Sequence, residues 1–296
     1  MAPSATEQAK ASERDALIAR ILPQMVLSNG DEASMTGPPV PAPHYINAEG
    51  RARLRFEVEG NAIVTGGAGT LGFEAARALL EHGLSGLMII DVEPAQAEDK
   101  INKLAAEFPS AKIKSLKVDI TDDAAIAKAV AETAQVFGSV DILLCFAGVV
   151  GCTHAIDMTS AEWKRTLDIN TTGSFLCAQA VAKQMIEQKT GGSIVFTASI
   201  SGHRVNFPQP QVAYNVSKAA VIALKNSLAA EWARYGIRVN SMSPGYMDTI
   251  LNEGDGIADA RAVWADRNPM GRMGNPSELT GAVVLLTSSA GTYMNG

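Results

Sequence analysis

The stretch AIVTGGAGTLGF, residues 62–73, decides how the rest of the chain is interpreted. Four aliphatic or β-branched residues, typical of a buried strand, run directly into a glycine-rich turn and then into a helical segment. Gly67, Gly69 and Gly72 satisfy the pattern G-x-G-x-x-G. Glycines at such a turn let the backbone approach a pyrophosphate, and the first N–H groups of the helix attract the anion. The stretch therefore indicates a dinucleotide site, with a tight turn that binds nothing as the alternative.

From Arg55 onward, strand-like and helix-like segments alternate, which is typical of a parallel sheet covered by helices on both faces. The predicted strands are 62–65, 87–91, 112–118, 141–147, 193–199 and 237–243. The predicted helices are 71–82, 95–108, 122–137, 160–189 and 213–235. The sequence thus predicts an α/β fold with a doubly wound, Rossmann-like sheet in one catalytic domain, residues 54–296.

Residues 1–53 are predicted to form an amino-terminal appendage. Apolar residues recur weakly at helical spacing within Glu7–Leu27, which favours a short helix. The stretch SNGDEASMTGPPVPAPHY, residues 28–45, has the Pro, Gly and Ser content of an extended linker. Two interpretations of the appendage stay open, a mobile tail and a segment that docks on a neighbouring subunit.

Composition excludes several classes of partner. A net charge of −6 provides no basic surface for nucleic acid. The longest apolar run, 142–152, is far shorter than the roughly 20 residues that cross a bilayer, so we expect no membrane segment. The 3 cysteines form no C-x-x-C pair, so no metal site is predicted. Acidic residues near the start argue against a transit peptide, and the expected location is cytoplasmic.

Two aspartates follow predicted strands and are candidates to bind a dinucleotide. Asp91 lies nineteen residues after Gly72, close to the spacing of about 20 expected for a carboxylate that binds the adenosine ribose. That carboxylate would repel a 2′-phosphate, and neither Gly69 nor Thr70 supplies a compensating positive charge, so NAD is predicted over NADP. A helix cap is the alternative for Asp91. Asp119 is equally consistent with a contact to adenine and with a helix cap.

Four residues are candidates for catalysis. Tyr214 and Lys218 are spaced to share one helix face, and a nearby ammonium would lower the pKa of the phenol. Ser199 ends a predicted strand at the sheet edge where ligands bind. Asn170 is a poor helix former inside a long helical segment, which suggests either a functional reason or a solvent-facing position.

Together, TGGAGTLG, Asn170, Ser199, YNVSK and NSMSPGYMDT resemble the short-chain dehydrogenase/reductase family, over the chain from about Arg55 to its end. The resemblance implies that Asn170, Ser199, Tyr214 and Lys218 form a catalytic tetrad. Tyr214 would protonate the carbonyl oxygen during reduction, Ser199 would hold that oxygen, Lys218 would bind ribose hydroxyls, and Asn170 would anchor a water-linked proton relay. The predicted cofactor-binding residues are Gly66, Gly69, Thr70, Leu71, Gly72, Asp91, Asp119, Ala147, Gly148, Pro244, Gly245 and Thr249.

The chain departs from the family pattern in three places. Thr70 replaces the second glycine of the turn, and Cys145 and Phe146 replace two asparagines after the fourth strand. The family's last strand is missing after Gly296, so we expect the sixth strand to be an unpaired edge of reduced stability, unless the appendage covers it. Relatives form dimers or tetramers through the helices predicted at 160–189 and 213–235, which makes a homo-oligomer possible here.

The loop SGHRVNFPQPQV, residues 201–212, connects Ser199 to Tyr214 and is expected to cover the substrate. Its polar side chains suit a substrate rich in hydroxyl groups, and His203, Asn206 and Gln209 are the predicted substrate-binding residues. The loop resembles that of fungal-type polyol dehydrogenases and ketose reductases, which implies a small polyol or ketose as substrate. Ordinary surface polarity, a 3-oxoacyl thioester reductase and a non-catalytic dinucleotide-binding scaffold are the alternatives.

Overall fold

The computed structural model of the protein describes residues 15–30, 34–39, 41–249, 252 and 254–296. Its centre is a six-stranded parallel sheet with the order β3-β2-β1-β4-β5-β6. The strands are β1 (Asn61–Thr65), β2 (Gly86–Asp91), β3 (Lys112–Lys117), β4 (Ile142–Cys145), β5 (Gly192–Thr197) and β6 (Ile237–Met242). The order reverses between β1 and β4, and parallel α/β sheets bind ligands beyond the carboxyl ends of the strands at such a point.

Helices cover both faces of the sheet. They are α1 (Ala48–Arg55), α2 (Thr70–Glu81), α3 (Glu98–Glu107), α4 (Asp123–Phe137), α5 (Ser160–Leu167), α6 (Ser174–Gln188), α7 (Val212–Trp232), α8 (Ala258–Asp266) and α9 (Thr280–Thr287). Successive strand residues point to opposite faces, so Ile63 packs in the core under α4, α6 and α7, whereas Val64 packs in the core under α2, α3 and α9. Burial on both faces explains why these strands are almost continuously apolar.

The predicted fold is confirmed, with all six strands within two residues of their expected ends. The predicted helix 160–189 is interrupted by a π-helical stretch, Asp168–Gly173. Helices α1, α8 and α9 were not predicted. The sequence of α9, TGAVVLLT, is rich in residues of low helix propensity, and packing against α2 outweighs that preference.

The amino-terminal appendage can be compared with its prediction only in part. Residues 7–14 of the expected first helix lie outside the described residues; residues 15–19 are helical and 20–27 are not. The predicted boundary between residues 53 and 54 falls inside α1, whose last carbonyls accept hydrogen bonds from the Ser289 hydroxyl. Among the described helices, none combines the length and the apolar character needed to cross a bilayer.

The sheet ends at β6, but the expectation of a bare edge there is wrong at Val239. Its N–H donates to the Asn295 side-chain oxygen at 2.9 Å, and its carbonyl accepts from the Gly296 N–H at 3.0 Å. The Asn240 amide donates to the Met294 carbonyl at 2.8 Å. The residues after α9 therefore satisfy backbone groups that a seventh strand would otherwise pair.

We expect Asn295→Ala to lower the free energy of unfolding by about 1–3 kcal/mol, because it leaves the buried N–H of Val239 without an acceptor. Urea denaturation measures the change. Tyr293→Ala, at a fully exposed position two residues away, is the matched control and should change stability by less than about 0.5 kcal/mol. Equal stability of the Asn295 variant and the wild-type protein would show that this contact does not protect the edge.

Candidate active site

A cleft of about 810 Å³ lies at the carboxyl ends of the strands. All twelve residues predicted to bind the cofactor line it, and so do Ser199, Tyr214 and Lys218. Asn170 is fully buried behind the cleft wall. The glycine turn and three of the four predicted catalytic residues thus share one cavity, although Tyr214 lies 145 positions after Gly69 in the chain.

The glycine turn is tight because two of its members allow close backbone contact. Gly66 has φ +66°, and a Cβ there would lie 2.5 Å from the Ala147 nitrogen. A Cβ on Gly72 would lie 2.4 Å from the Gly66 carbonyl oxygen. Gly69 instead has an ordinary φ of −75° at the N-cap of α2, and Thr70 is the first residue of that helix. Thr70 therefore adopts a backbone conformation that needs no glycine, and Gly69 does not have to compensate for it.

The same turn fits a pyrophosphate. No side chain caps the first N–H groups of α2, which begins at Thr70 beside the cleft. Uncapped N–H groups at a helix N-terminus, reached through glycines, form an anion site. In the described part of the chain, no three His, Cys, Asp or Glu side chains cluster as a metal site would require.

The two candidate aspartates hold the adjacent loops in place. Asp91 accepts weak hydrogen bonds from the backbone N–H groups of Ala68 and Glu93, both at 3.3 Å, and caps no helix. Asp119 accepts from the Thr121 N–H at 2.9 Å and its hydroxyl at 2.8 Å, and these bonds lower the pKa of its carboxyl. The cap of α4 is Asp122, so the structure removes the capping alternative for both residues.

Tyr214 and Lys218 lie in the first two turns of α7. The Lys218 ammonium is buried and donates to the Thr197 carbonyl at 2.7 Å. Its nitrogen is 5.6 Å from the centre of the Tyr214 ring. The expected pairing of ammonium and phenol on one helix face is therefore present.

The electrostatics differ from the prediction. Burial raises the pKa of the Tyr214 phenol; the Ser199 hydroxyl lowers that pKa, and Tyr246 raises it further. Burial also lowers the pKa of Lys218 from 10.5 to about 8. Lys218 is not among the causes of the shift at Tyr214, so the expected lowering of the phenol pKa by the ammonium is not found in the protein without its dinucleotide. Burial, which disfavours the charged form, has the largest effect on both groups.

Asn170 occupies the π-helical stretch between α5 and α6. Its amide oxygen accepts from the Val149 N–H at 2.8 Å, and its amide nitrogen donates to the Val149 carbonyl at 2.9 Å and to the Ser217 hydroxyl at 3.0 Å. The alternative of a solvent-facing Asn170 is therefore removed. The extra residue in the helical turn directs this side chain to the loop after β4 and to α7, and π-helical turns often occur at functional sites.

The predicted substrate residues are only partly brought together. Asn206 and Gln209 line the cleft, whereas His203 is exposed, bonds the Ser243 hydroxyl at 2.9 Å and does not line it. Ser199 donates to the Ser201 hydroxyl at 3.0 Å, which also accepts from the Gln211 amide at 3.2 Å. Polar side chains thus continue from Ser199 along the loop.

Sequence reasoning missed two aromatic residues of the cleft wall, Tyr246 and Trp264. Their rings stack with centres 4.3 Å apart. The Tyr246 oxygen accepts from the amides of Asn206 and Gln209, and the Trp264 indole N–H donates to the Gln209 oxygen. The position of Tyr246 after β6 could have indicated it, but α8, which carries Trp264, gave no such signal.

A family model described as enoyl-(acyl carrier protein) reductase matches residues 66–296. The NADP-dependent mannitol dehydrogenase of Alternaria alternata is 40% identical over 245 residues, which cover 81% of this chain and 90% of that one. The chain belongs to the short-chain dehydrogenase/reductase family. The sorbose reductase of Candida albicans is 37% identical over 246 residues, which cover 81% of this chain and 85% of the reductase. The crystal structure of a short-chain type dehydrogenase/reductase from Mycobacterium marinum has a TM-score of 0.77 at 36% identity, covering 81% and 93% of the two chains.

Membership of the short-chain dehydrogenase/reductase family confirms the predicted enzyme class, an oxidoreductase that acts on CH–OH groups with a nicotinamide dinucleotide. The family model matches residues 66–296, so the match includes the glycine turn and the carboxyl-terminal side of the cleft alike. The residues of the cleft can therefore be compared one by one with the reaction chemistry of this family.

We expect Lys218→Met to stabilise this short-chain dehydrogenase at pH 7, because it removes a buried ammonium. The lowered pKa of Lys218 corresponds to at most about 3 kcal/mol, and loss of the bond to the Thr197 carbonyl reduces the gain to about 2 kcal/mol. Between pH 8 and pH 10 the unfolded wild-type chain binds more protons at Lys218 than the folded one, so wild-type stability rises with pH relative to the variant.

Urea denaturation of both proteins at pH 7 and pH 9.5 measures this difference. Lys183→Met, at an exposed position on α6, is the matched control, and its difference from wild type should not depend on pH. A stability difference for Lys218→Met that is the same at both pH values would contradict the argument.

Proposed function

We propose that the protein interconverts a polyol and the corresponding ketose, with a nicotinamide dinucleotide as redox partner and Tyr214 as the proton-transfer residue. The observation that carries the proposal is that Tyr214, Lys218 and Ser199 line the same cleft as the glycine turn of α2. When bound, the nicotinamide would supply or accept the hydride. The side chains of the protein would hold the substrate oxygen and move its proton.

Each predicted catalytic residue has a role that its contacts support. The raised pKa keeps the Tyr214 phenol protonated at neutral pH, which suits donation of a proton to a ketose oxygen. Ser199, close enough to lower that pKa, is positioned to hold the same oxygen. The Lys218 ammonium gives one of its three donors to Thr197, which leaves donors for ribose hydroxyls. Asn170 fixes the backbone of Val149 at the cleft wall.

The substrate class rests on the relatives and on the polarity of the wall. Relatives at 35–40% identity are named mannitol dehydrogenase, sorbose reductase and D-arabinitol 2-dehydrogenase. The cleft that Tyr214 lines is also lined by Asn206, Gln209 and Tyr246. A site that hydrogen-bonds hydroxyl groups discriminates strongly against substrates that lack them.

Reduction of a 3-oxoacyl thioester is the second candidate, and the description of the matching family model, enoyl-(acyl carrier protein) reductase, supports an acyl thioester as substrate. A panel of xylulose, fructose, sorbose and acetoacetyl thioester, followed by the absorbance of reduced nicotinamide, separates the two. We expect turnover of at least one ketose and little of the thioester. The opposite pattern would replace the polyol proposal, and no turnover of any compound would favour a dinucleotide-binding scaffold.

Tyr214→Phe is expected to lower kcat on the best ketose at least about 100-fold, because the phenol is the proposed acid. The dissociation constant of the dinucleotide, measured by fluorescence titration, should change little. Oxidation of the polyol by the wild-type protein should accelerate with rising pH, since the phenol must lose its proton to act as a base. Turnover by the Phe variant at the wild-type rate would exclude Tyr214 as the proton-transfer residue.

We further propose a preference for NAD over NADP, supported by the carboxylate of Asp91 at the end of β2. A 2′-phosphate near this group would be repelled, and the cleft is lined by two basic side chains among the described residues, Lys218 and Arg165, neither of which belongs to the β1–α2 turn or to β2. The names of several relatives contain NADP, and this observation favours NADP over NAD.

The ratio of kcat/KM for the two dinucleotides tests this preference. We expect the wild-type protein to favour NAD by about tenfold or more, which corresponds to about 1.4 kcal/mol of repulsion, and Asp91→Asn to reduce the ratio by raising activity with NADP. Asp119→Asn removes a charge elsewhere in the cleft and is the matched control. Equal use of both dinucleotides by the wild-type protein would show that Asp91 does not set the preference.

A homo-oligomer and a cytoplasmic location remain proposals. The first is supported by the long helices α6 and α7, which match the helices predicted to pair subunits. The second rests on the composition of the chain. Mass measurement in solution decides the first, and fractionation of cells decides the second.

A further inference from the structure

Tyr246 and Trp264 form an aromatic pair in the cleft wall that the catalytic scheme does not use. Their rings are parallel within 5°, with centres 4.3 Å apart. Trp264 is almost completely buried, and Tyr246 is half-buried with its ring lining the cleft. The Tyr246 oxygen accepts from the Asn206 amide at 2.8 Å and from the Gln209 amide at 3.0 Å.

The direction of the Gln209 bonds is fixed by Trp264. An indole N–H can only donate, and that of Trp264 lies 3.0 Å from the Gln209 side-chain oxygen. The nitrogen of the Gln209 amide must then face the other way. It donates to the Tyr246 oxygen and, at 3.1 Å, to the Gln211 oxygen. One unambiguous donor therefore determines how the neighbouring groups are oriented.

The phenol O–H of Tyr246 is left as an unused donor. Gln209 and Asn206 occupy both acceptor positions of its oxygen. Among the residues that the structure describes, this hydroxyl makes no hydrogen bond as a donor, and the buried side-chain oxygen of Asn206 also has no partner. Tyr246 and Tyr214 line the same cleft, so both phenols are available to one bound molecule.

We propose that Tyr246 donates its phenol hydrogen to a substrate oxygen next to the reacting carbon, and that Trp264 and Gln209 are positioning residues that fix the direction of this bond. The inference rests on the proposed function, and it identifies the chemical class that the site selects: ketoses and polyols with a hydroxyl group beside the reacting carbon. A donor held in this direction finds no neighbouring hydroxyl oxygen to bond in a ketone flanked only by methylene groups.

Tyr246→Phe tests the proposal, because it keeps the ring that stacks on Trp264 and removes only the hydroxyl. We expect kcat/KM for fructose or sorbose to fall about tenfold, mainly through KM. For 2-hexanone, a six-carbon ketone without hydroxyl groups, KM, or the inhibition constant if it is not turned over, should change less than about twofold. The dissociation constant of the dinucleotide should stay the same. Tyr293→Phe, at an exposed position, is the control.

Two further variants test the direction of the bond. Trp264→Phe keeps an aromatic face but frees Gln209 to rotate, so it should weaken ketose binding selectively and leave 2-hexanone unaffected. Asn206→Asp replaces a donor with an acceptor that captures the Tyr246 proton, and it should raise the KM for the ketose in the same way. If the Asn206 amide were reversed and already accepted that proton, the Asp variant would leave KM unchanged, which overturns the inference.

The remaining outcomes are distinct from one another. A wild-type protein that reduces ketoses while Tyr246→Phe matches it overturns this inference and leaves the proposed function intact. A variant that loses activity on every compound equally, or binds the dinucleotide more weakly, shows a structural role for Tyr246 and also overturns it. A wild-type protein that turns over no ketose overturns both proposals.

Discussion

The site depends on one buried hydrogen bond, from the Lys218 ammonium to the Thr197 carbonyl. This bond joins the first turns of α7 to the end of β5 and so sets where Tyr214 lies relative to Ser199. The ammonium is buried, which lowers its pKa to about 8 and makes its charge costly to the folded state. An uncharged apolar side chain would pack at this position with a smaller loss of folding free energy. Lys218 lines the cleft, and the proposed contact with ribose hydroxyls would use its remaining donors.

Parallel topology gathers the remaining parts of the site. Every strand of the sheet runs in the same direction, so Gly66 after β1, Asp91 at the end of β2 and Ala147 after β4 meet at one edge. Contact is close enough that a Cβ on Gly66 would strike the backbone of Ala147. The glycine turn is therefore shaped by the neighbouring strand as well as by its own helix. The dinucleotide cleft follows from the order of the strands, whatever the loops above it contain.

The features that could be predicted are those written in local patterns. Aliphatic runs predicted the strands, and the glycine turn predicted an anion site. Asn170 was identified as a candidate because asparagine disfavours a helix. The pKa of Tyr214 was missed because pairwise reasoning about an ammonium and a phenol omits the cost of burial, which dominates here. The protection of β6 by Asn295 and the stacking of Trp264 on Tyr246 depend on contacts between distant segments, which no local pattern encodes.

The proposed catalytic residues and the proposed substrate-selecting residues come from different segments of the chain, and they are held by different means. Ser199 lies just after β5, and Tyr214 and Lys218 lie in α7, which packs on the sheet. Tyr246 and Trp264 come from segments beyond β6, where the polarity of each amide is set by its neighbours. An indole N–H can only donate a hydrogen bond. It therefore fixes the orientation of the Gln209 amide, which in turn donates to the Tyr246 oxygen, and no charged group is involved. A change in this wall would alter which oxygen atoms are recognised and leave the proposed proton-transfer residues in place, so in this proposal substrate choice and proton transfer are separable.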